Sequence, residues 1–174
     1  MANINDLRYI KTERLIEETY IELKKKTRSP VKVGELCKAA LINKTTFYTH
    51  YETMEALHTQ ICEKKITAML DGCPHIDEAF TDTAAFVHEM VKTIQKNAVV
   101  IHALFGEDIT KQTNMLEACL LNRYLHGGES QEMKMKIVFA IGGAARLLIG
   151  DQSNERVQMT ITLIGRVLGD DEIQ

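Results

Sequence analysis

Apolar side chains recur along this chain at spacings of three and four residues, and no window shows the strict alternation that a half-buried strand requires. Leu15, Ile16, Tyr20 and Leu23 form one such stripe near the N-terminus. Turn-forming and capping residues interrupt the pattern at points that suit helix ends. The sequence predicts an all-α protein of about nine helices, at residues 7–26, 33–40, 44–50, 54–70, 82–97, 99–105, 108–125, 131–149 and 154–168.

The most informative stretch is residues 33–51, which has the pattern of a short helix, a tight turn and a second short helix. Leu41 and Ile42 interrupt the helical pattern, and the side-chain oxygen of Asn43 can accept hydrogen bonds from the free amides of a new helix. Phe47 and Tyr51, four residues apart, are expected in the core. The other face of this second helix carries polar groups: Lys44, Thr45, Tyr48 and Thr49.

These residues resemble the N-terminal DNA-binding domain of the tetracycline-repressor (TetR) family of bacterial transcription regulators. The resembling run is LCKAALINKTTFYTHYETMEAL, extended backward through LRYIKTERLIEETYIELKKK. Its strongest piece is FYTHY, residues 47–51, followed by Leu57, which in the family closes the recognition helix and leads into a linking helix. The resemblance implies a three-helix helix-turn-helix DNA-binding domain at residues 1–52 and a helical regulatory and dimerisation domain at residues 53–174.

The resemblance also implies a function. A homodimeric regulator, a repressor in most of the family, would bind a palindromic double-stranded DNA operator, and a small-molecule effector in the C-terminal domain would control release. The helix at 44–50 would enter the major groove, with some side chains at base edges and others at phosphates. The residues expected at DNA are Lys11, Thr12, Lys32, Lys44, Thr45, Thr46, Tyr48, Thr49 and His50.

Three positions depart from the family's pattern. Leu41 stands where the family usually has Gly, so either Leu41 adopts positive φ at a cost of roughly 1–2 kcal/mol or the turn is reshaped. Lys32 replaces a capping Thr, although its cation could meet a phosphate, and Met54 replaces a Lys that often contacts the DNA backbone. These departures leave open an alternative function: an interaction protein that keeps the fold, has lost DNA binding and acts through a protein partner.

The charge distribution favours a nucleic-acid partner at the N-terminal end. The chain carries a formal net charge of -3, with 21 Lys and Arg against 24 Asp and Glu. Residues 1–66 contain 12 of these basic residues and 9 of the acidic ones, so the first part of the chain is basic and the remainder acidic. A solvated lysine-rich helix end would give a similar local pattern, but the neighbouring helix-turn-helix favours contact with phosphates.

The last two predicted helices, at 131–149 and 154–168, form a helical hairpin that bears on assembly. Gly142 and Gly143 lie inside the first arm, where each costs about 1 kcal/mol relative to Ala, so close approach of another backbone is expected to offset the cost. Two hairpins related by a twofold axis would form a four-helix interface, as in the resembling family. The alternative is packing within one subunit. The expected interface residues are Ile141, Ala145, Leu148, Val157, Ile161, Ile164 and Leu168.

The effector site is the least determined part of the sequence. Met and Phe side chains can line an adaptable apolar pocket, although residues at helical spacing also occur as ordinary core. Residues 99–105 are apolar nearly all round and are expected to be buried. The candidate pocket residues are Phe86, Met90, Phe105, Met115 and Phe139.

Other chemistry finds little support in the sequence. His58 with Cys62, plus Cys73 and His75, could hold zinc if the loop folded back, but four free and mostly buried thiols are the simpler interpretation, and neither a metal nor a cofactor is expected. No HExxH, GxSxG or Gly-rich phosphate loop is present, so we expect no enzyme. No apolar run approaches about 20 residues, and the N-terminus lacks the apolar segment of a signal peptide. A cytoplasmic protein is therefore expected.

Overall fold

A computed structural model describes residues 7–27 and 29–168 of the chain. Within these residues the fold is all-α, as predicted, with nine α-helices, one short 3₁₀ helix and no strand. The helix bounds lie within about two residues of the predicted ones. They are α1 Leu7–Lys26, α2 Val33–Ala39, α3 Lys44–His50, α4 Met54–Asp71, the 3₁₀ helix η1 Ile76–Glu78, α5 Thr83–Lys96, α6 Ala98–Phe105, α7 Ile109–Tyr124, α8 Gln131–Gly150 and α9 Asn154–Leu168.

Side-chain caps explain why several helices begin where they do. Asn43 Oδ1 accepts from the Thr46 amide at 2.7 Å, and Thr53 Oγ1 accepts from the Ala56 amide at 3.0 Å. Asp82 caps α5, since its Oδ1 accepts from the Ala85 amide at 3.0 Å. Such caps satisfy amides that have no partner inside the helix. The capping residues could therefore be identified from the sequence. The positions at which the helices start could be predicted from them.

The chain divides into two compact units. Among the described residues, the first unit comprises those up to Lys64 together with residues 99–106, and the second comprises residues 65–98 and 107–168. The division thus falls inside α4, whereas the sequence-based division at residues 52 and 53 falls just before that helix. Most of α6 belongs to the first unit although it follows α5 in the chain.

The first unit has a core formed by side chains from α1, α2, α3 and α4. Ile16, Leu36, Phe47 and Leu57 are each fully buried, with 0% of the side-chain surface exposed. In α6 the prediction of burial all round is wrong for Val99, which is 71% exposed, although Leu104 and its neighbours are buried. The apolar pattern of so short a helix did not reveal which side faces solvent.

The second unit is organised around α8, which packs against both α7 and α9. Its central cluster joins α5, α8 and α9 through apolar side chains that are each at most 8% exposed. The members of this cluster are Val87, Val91, Ala140, Leu148, Val157, Ile161 and Ile164. Among the described residues, no helix combines the length and the apolarity that crossing a membrane would require.

Candidate nucleic-acid interface

The turn between α2 and α3 is built around Leu41 in a left-handed conformation, with φ of 54°. The Ile42 amide donates to the Cys37 carbonyl at 3.0 Å, and the Leu41 amide donates to the Lys38 carbonyl at 3.4 Å. These two bonds form the Schellman motif that ends many helices, usually with Gly at the left-handed position. Of the two possibilities left by the sequence, the turn keeps its shape and Leu41 adopts positive φ. Its side chain gains no packing, because it is 93% exposed.

Helix α3 has distinct polar and buried faces. Phe47 is completely buried in the first unit. At 100° per residue, the exposed side chains occupy an arc of about 140°, and the centre of this arc lies about 130° from Phe47. Tyr48 is 55% exposed, and the side chain of Lys44 passes over Gly34 of α2. The residues of this arc, called the outer face of α3 below, are Lys44, Thr45, Tyr48 and Thr49.

The threonine side chains of α3 are unequally available to a ligand. Thr46 is half-buried, and its hydroxyl donates to Asn43 Oδ1 at 2.9 Å, in addition to the amide that the same oxygen caps. Thr49 Oγ1 donates to the Thr45 carbonyl at 3.0 Å. Thr45 lies exposed on the outer face. Thr45 is therefore better placed to read a base edge than Thr46, whose hydroxyl proton is already used in the cap.

His50 lies at the end of α3 and stacks on Tyr9 of α1, with the two ring centroids 4.0 Å apart. Its Nδ1 atom is buried and has no hydrogen-bond partner among the described residues. Burial lowers the pKa of His50 below its usual 6.5, partly opposed by the charge of Glu13. At neutral pH the imidazole is therefore uncharged, so it would meet a phosphate as a neutral hydrogen-bond donor and not as a cation. Its stack also places the first turn of α1 beside the end of α3.

Several cations predicted at DNA lie exposed on the first unit. Lys11, Lys32 and Lys44 are exposed, and within the described part of the chain none of the three forms an ion pair. Lys32 precedes α2 in an extended conformation and provides no side-chain cap, as its identity implied. Thr12 Oγ1 donates to the Arg8 carbonyl at 2.9 Å. Arg28, one of the basic residues counted in residues 1–66, lies outside the described residues.

A polar network between α1 and α4 holds the base of α3, and the sequence analysis missed it. The Tyr51 hydroxyl donates to Glu17 Oε1 at 3.0 Å. Lys64 Nζ contacts Glu17 at 2.6 Å and Glu13 at 2.9 Å, and Gln60 donates to Glu13 at 3.2 Å. Burial and the nearby Glu17 raise the pKa of Tyr51, so its hydroxyl stays protonated and donates. The only local signal was a matched spacing. Glu13 and Glu17 are four residues apart on α1, and Gln60 and Lys64 are four residues apart on α4.

The second unit contains an apolar cavity of about 50 Å³. Phe86 and Met90 line it, as do Leu116, Leu120 and Tyr124 of α7. The other three candidate pocket residues lie elsewhere. Phe105 belongs to the first unit, Met115 is half-buried on α7 without lining the cavity, and Phe139 is 71% exposed on α8.

The residues predicted at a dimer interface are already covered within one subunit. Six of them are buried, with exposed fractions of 4–8%, and Leu168 is partly buried against the same core cluster. Their burial corresponds to the packing within one subunit that the sequence had left as an alternative. The side of the α8–α9 hairpin turned away from this core carries other apolar residues. We call this the hairpin face, and its most exposed members are Met135, Phe139, Met159 and Leu163.

The two glycines of α8 differ in their surroundings. A Cβ atom at Gly142 would lie 3.1 Å from Glu117 Oε1 of α7, so the small residue accommodates a side chain of the same subunit. A Cβ atom at Gly143 would meet no atom within 4 Å. Gly143 lines a groove of about 220 Å³ on the hairpin face, with Phe139, Leu147 and Leu163. Contacts within the described subunit therefore account for Gly142 but not for Gly143.

Cysteine and histidine placement bears on the zinc alternative. Cys62 Sγ lies 3.6 Å from His58 Nε2, and burial raises the pKa of Cys62 to about 11. That thiol is therefore protonated at neutral pH, and a metal ion would have to displace its proton to bind. Among the described residues no group of three or more His, Cys, Asp or Glu side chains is arranged to hold a metal ion. Cys73 and His75 lie in the second unit, where His75 pairs with Glu78 at 2.8 Å.

Comparison with known proteins adds no assignment. No protein-family model matches the chain, and comparison with curated proteins finds no significant match.

Proposed function

We propose that this protein is a TetR-like transcriptional regulator, most simply a repressor, that binds a palindromic operator as a homodimer. The observation that carries the proposal is the outer face of α3. It is polar and exposed, it is preceded by the Asn43 cap, and its centre lies about 130° around the helix from the fully buried Phe47. A helix held in this way can insert into the major groove with Lys44 and Thr45 toward base edges and Tyr48 toward phosphate.

The hairpin face is the proposed dimer interface. It carries exposed apolar side chains beside Gly143, whose lack of a side chain is not explained by contacts with the described residues of the same subunit. The proposed interface therefore lies on the side of the α8–α9 hairpin turned away from the stripe of residues predicted from the sequence. A second copy packed on this face would bury Phe139 and Leu163 and bring the two helix hairpins together around a twofold axis.

Release of DNA by a small molecule in the second unit completes the proposal. The effector must bind one arrangement of the dimer more tightly than the other, typically by about 1–3 kcal/mol, to change DNA affinity. The apolar cavity beside Phe86 and Met90 supports such a site because it is the kind of concave, apolar space in which small molecules are bound.

Two substitutions test the roles within α3. Tyr48→Phe removes a phosphate contact and should weaken binding to all DNA sequences about equally, whereas Lys44→Ala should relax preference at one base pair of each half-site. Lys96→Ala, which removes an exposed cation from α5 of the second unit, is the control and should leave affinity unchanged. Measurement at several salt concentrations separates general charge effects from base discrimination. The reverse pattern for Tyr48 and Lys44 would refute this assignment.

One observation favours a second function, an interaction protein that has lost DNA binding. Leu41 adopts a left-handed conformation at the turn where the family's DNA-binding pattern has Gly, and its apolar side chain is 93% exposed. Under this alternative, the protein would show only nonspecific DNA binding. Lys44→Ala and Tyr48→Phe would then have no sequence-specific affinity to change.

A further inference from the structure

The cavity of the second unit is apolar throughout, and this restricts what it can bind. Its lining combines α5, α7, α8 and α9 with the segment that contains η1. Among the described residues that line it, none is charged and Tyr124 is the one with a hydroxyl group. An ion placed there would lose its hydration without gaining a partner, which costs several kcal/mol or more.

The Tyr124 hydroxyl is not free to recognise a ligand. It donates a hydrogen bond to the Ile76 carbonyl in η1. Burial raises the pKa of Tyr124, so the hydroxyl stays protonated and keeps that bond. The ring packs edge-on against Phe80, with centroids 4.9 Å apart, and both rings line the cavity. Tyr124 therefore presents its ring to the cavity and its polar end to the backbone.

The buried hydroxyls elsewhere in the second unit are likewise occupied. Thr83 donates to the Ala79 carbonyl at 3.0 Å, Thr113 to the Ile109 carbonyl at 2.8 Å, and Thr160 to the Arg156 carbonyl at 2.8 Å. Each bond stays within one turn of chain. None of these three threonine hydroxyls is therefore available to donate a hydrogen bond to a ligand in the cavity.

We propose that this cavity binds a small, uncharged, apolar molecule without hydrogen-bonding groups, such as a single aromatic ring or a short hydrocarbon chain, resting on the effector role proposed above for the second unit. Its volume of about 50 Å³ is below the roughly 150 Å³ of an apolar cavity that holds benzene. Binding therefore requires a neighbour to move. Met90 is suited to this, because its unbranched side chain has several rotatable bonds.

The test uses three compounds that share one ring and differ in charge: benzene, benzoate and benzylammonium. Thermal unfolding of the full chain is measured without DNA. Benzene at about ten times its Kd should raise the melting temperature by roughly 3–6 °C. Benzoate and benzylammonium at equal concentration should give no rise. A larger rise with either ion than with benzene would overturn the proposal.

Two substitutions of lining residues should act in opposite directions. Met90→Ala enlarges the cavity and should tighten benzene binding about tenfold or more, whereas Ala145→Leu fills it and should abolish the benzene-induced rise. If Ala145→Leu does not fold, the Met90→Ala variant still tests the proposal. If benzene stabilises neither the wild-type chain nor Met90→Ala, the proposal is wrong.

The effector role is measured separately, by adding benzene to the complex with DNA. Release of DNA by benzene but not by benzoate would support the ligand class and the effector role together. Stabilisation of the free protein without release of DNA would support the ligand class and refute effector control by this cavity. Failure of the chain to bind DNA would refute the proposed function and leave the melting result unaffected.

Discussion

Leu41 carries the clearest conformational cost in the first unit. An L-residue in the left-handed region costs roughly 1–2 kcal/mol, and Gly avoids the cost while losing part of the gain through greater freedom when unfolded. Because the Leu41 side chain is 93% exposed, its removal forfeits almost no packing. Leu41→Gly should therefore increase the free energy of unfolding by about 1 kcal/mol in urea titrations.

Leu41→Ala is the matched control for that experiment. It shortens the side chain but keeps Cβ, so the strain remains and stability should change by less than about 0.5 kcal/mol. Equal effects of the Gly and Ala substitutions would contradict the left-handed turn.

His50 should make stability depend on pH. Its folded-state pKa is lowered by burial, whereas the unfolded chain has a pKa of about 6.5. As pH falls below about 6.5 the unfolded state takes up the proton first, so stability falls and levels off below the folded-state pKa. His50→Phe keeps an aromatic ring against Tyr9 and removes the titration. Urea unfolding at pH 7.5 and pH 5.5 should therefore show a smaller loss of stability for this variant than for the wild-type chain.

Measurement at the two pH values provides the control, because a change in packing caused by His50→Phe affects stability at both of them. A loss of stability that is the same in the His50→Phe and wild-type proteins would show that His50 is not the titrating group.

At the scale of the element, substitutions at the start of α3 distinguish effects on stability from effects on DNA binding. Asn43→Ala removes the acceptor of both Thr46 bonds and should cost about 1 kcal/mol of stability. Asn43→Asp retains a capping oxygen and should preserve stability. If the N-terminal end of α3 approaches DNA phosphates, the added carboxylate should nevertheless weaken DNA binding severalfold or more.

These outcomes are read from urea unfolding and DNA titration of the same preparations. Equal destabilisation by the Ala and Asp substitutions would contradict the cap. Unchanged DNA affinity in the Asp variant would mean that the start of α3 does not face the duplex.

The helices were predictable because their signals are local. Caps such as Asn43 and stripes at spacings of three and four are written in consecutive residues, and the observed bounds follow them closely. Contacts between distant residues left no comparable signal. The stack of Tyr9 on His50 joins positions far apart in sequence, and nothing near either residue indicates it.

The spacing of apolar residues also shows that a helix face is buried, but not which element covers it. This explains why the α8–α9 stripe was predicted at a dimer interface. The stripe through Val157, Ile161 and Ile164 had to be covered, and the sequence could not distinguish coverage by α5 and α8 from coverage by a second subunit. The cavity residues were hard to separate for the same reason: Phe86 and Phe105 look alike in sequence but lie in different units.

At the scale of the whole molecule, Gly143 tests the proposed dimer. A Cβ atom at position 143 would meet no atom within 4 Å, and Gly143→Arg places a long cation in the groove on the hairpin face. The wild-type chain should sediment as a dimer at micromolar concentration, and this variant as a folded monomer. Gly128→Arg, the same change in the loop before α8 where a Cβ also has open space, should remain a dimer. A monomeric wild-type chain, or a dimeric Gly143→Arg variant, would refute the interface.

The most direct test of DNA recognition is selection of bound sites from random double-stranded DNA at a fixed, stated salt concentration. A dimer that presents two copies of α3 to one duplex should enrich a palindrome with half-sites about 34–36 Å apart, or a little more. Enrichment should be lost in Lys44→Ala at one base pair of each half-site. Recovery of no enriched sequence, or of single half-sites without symmetry, would contradict the central claim.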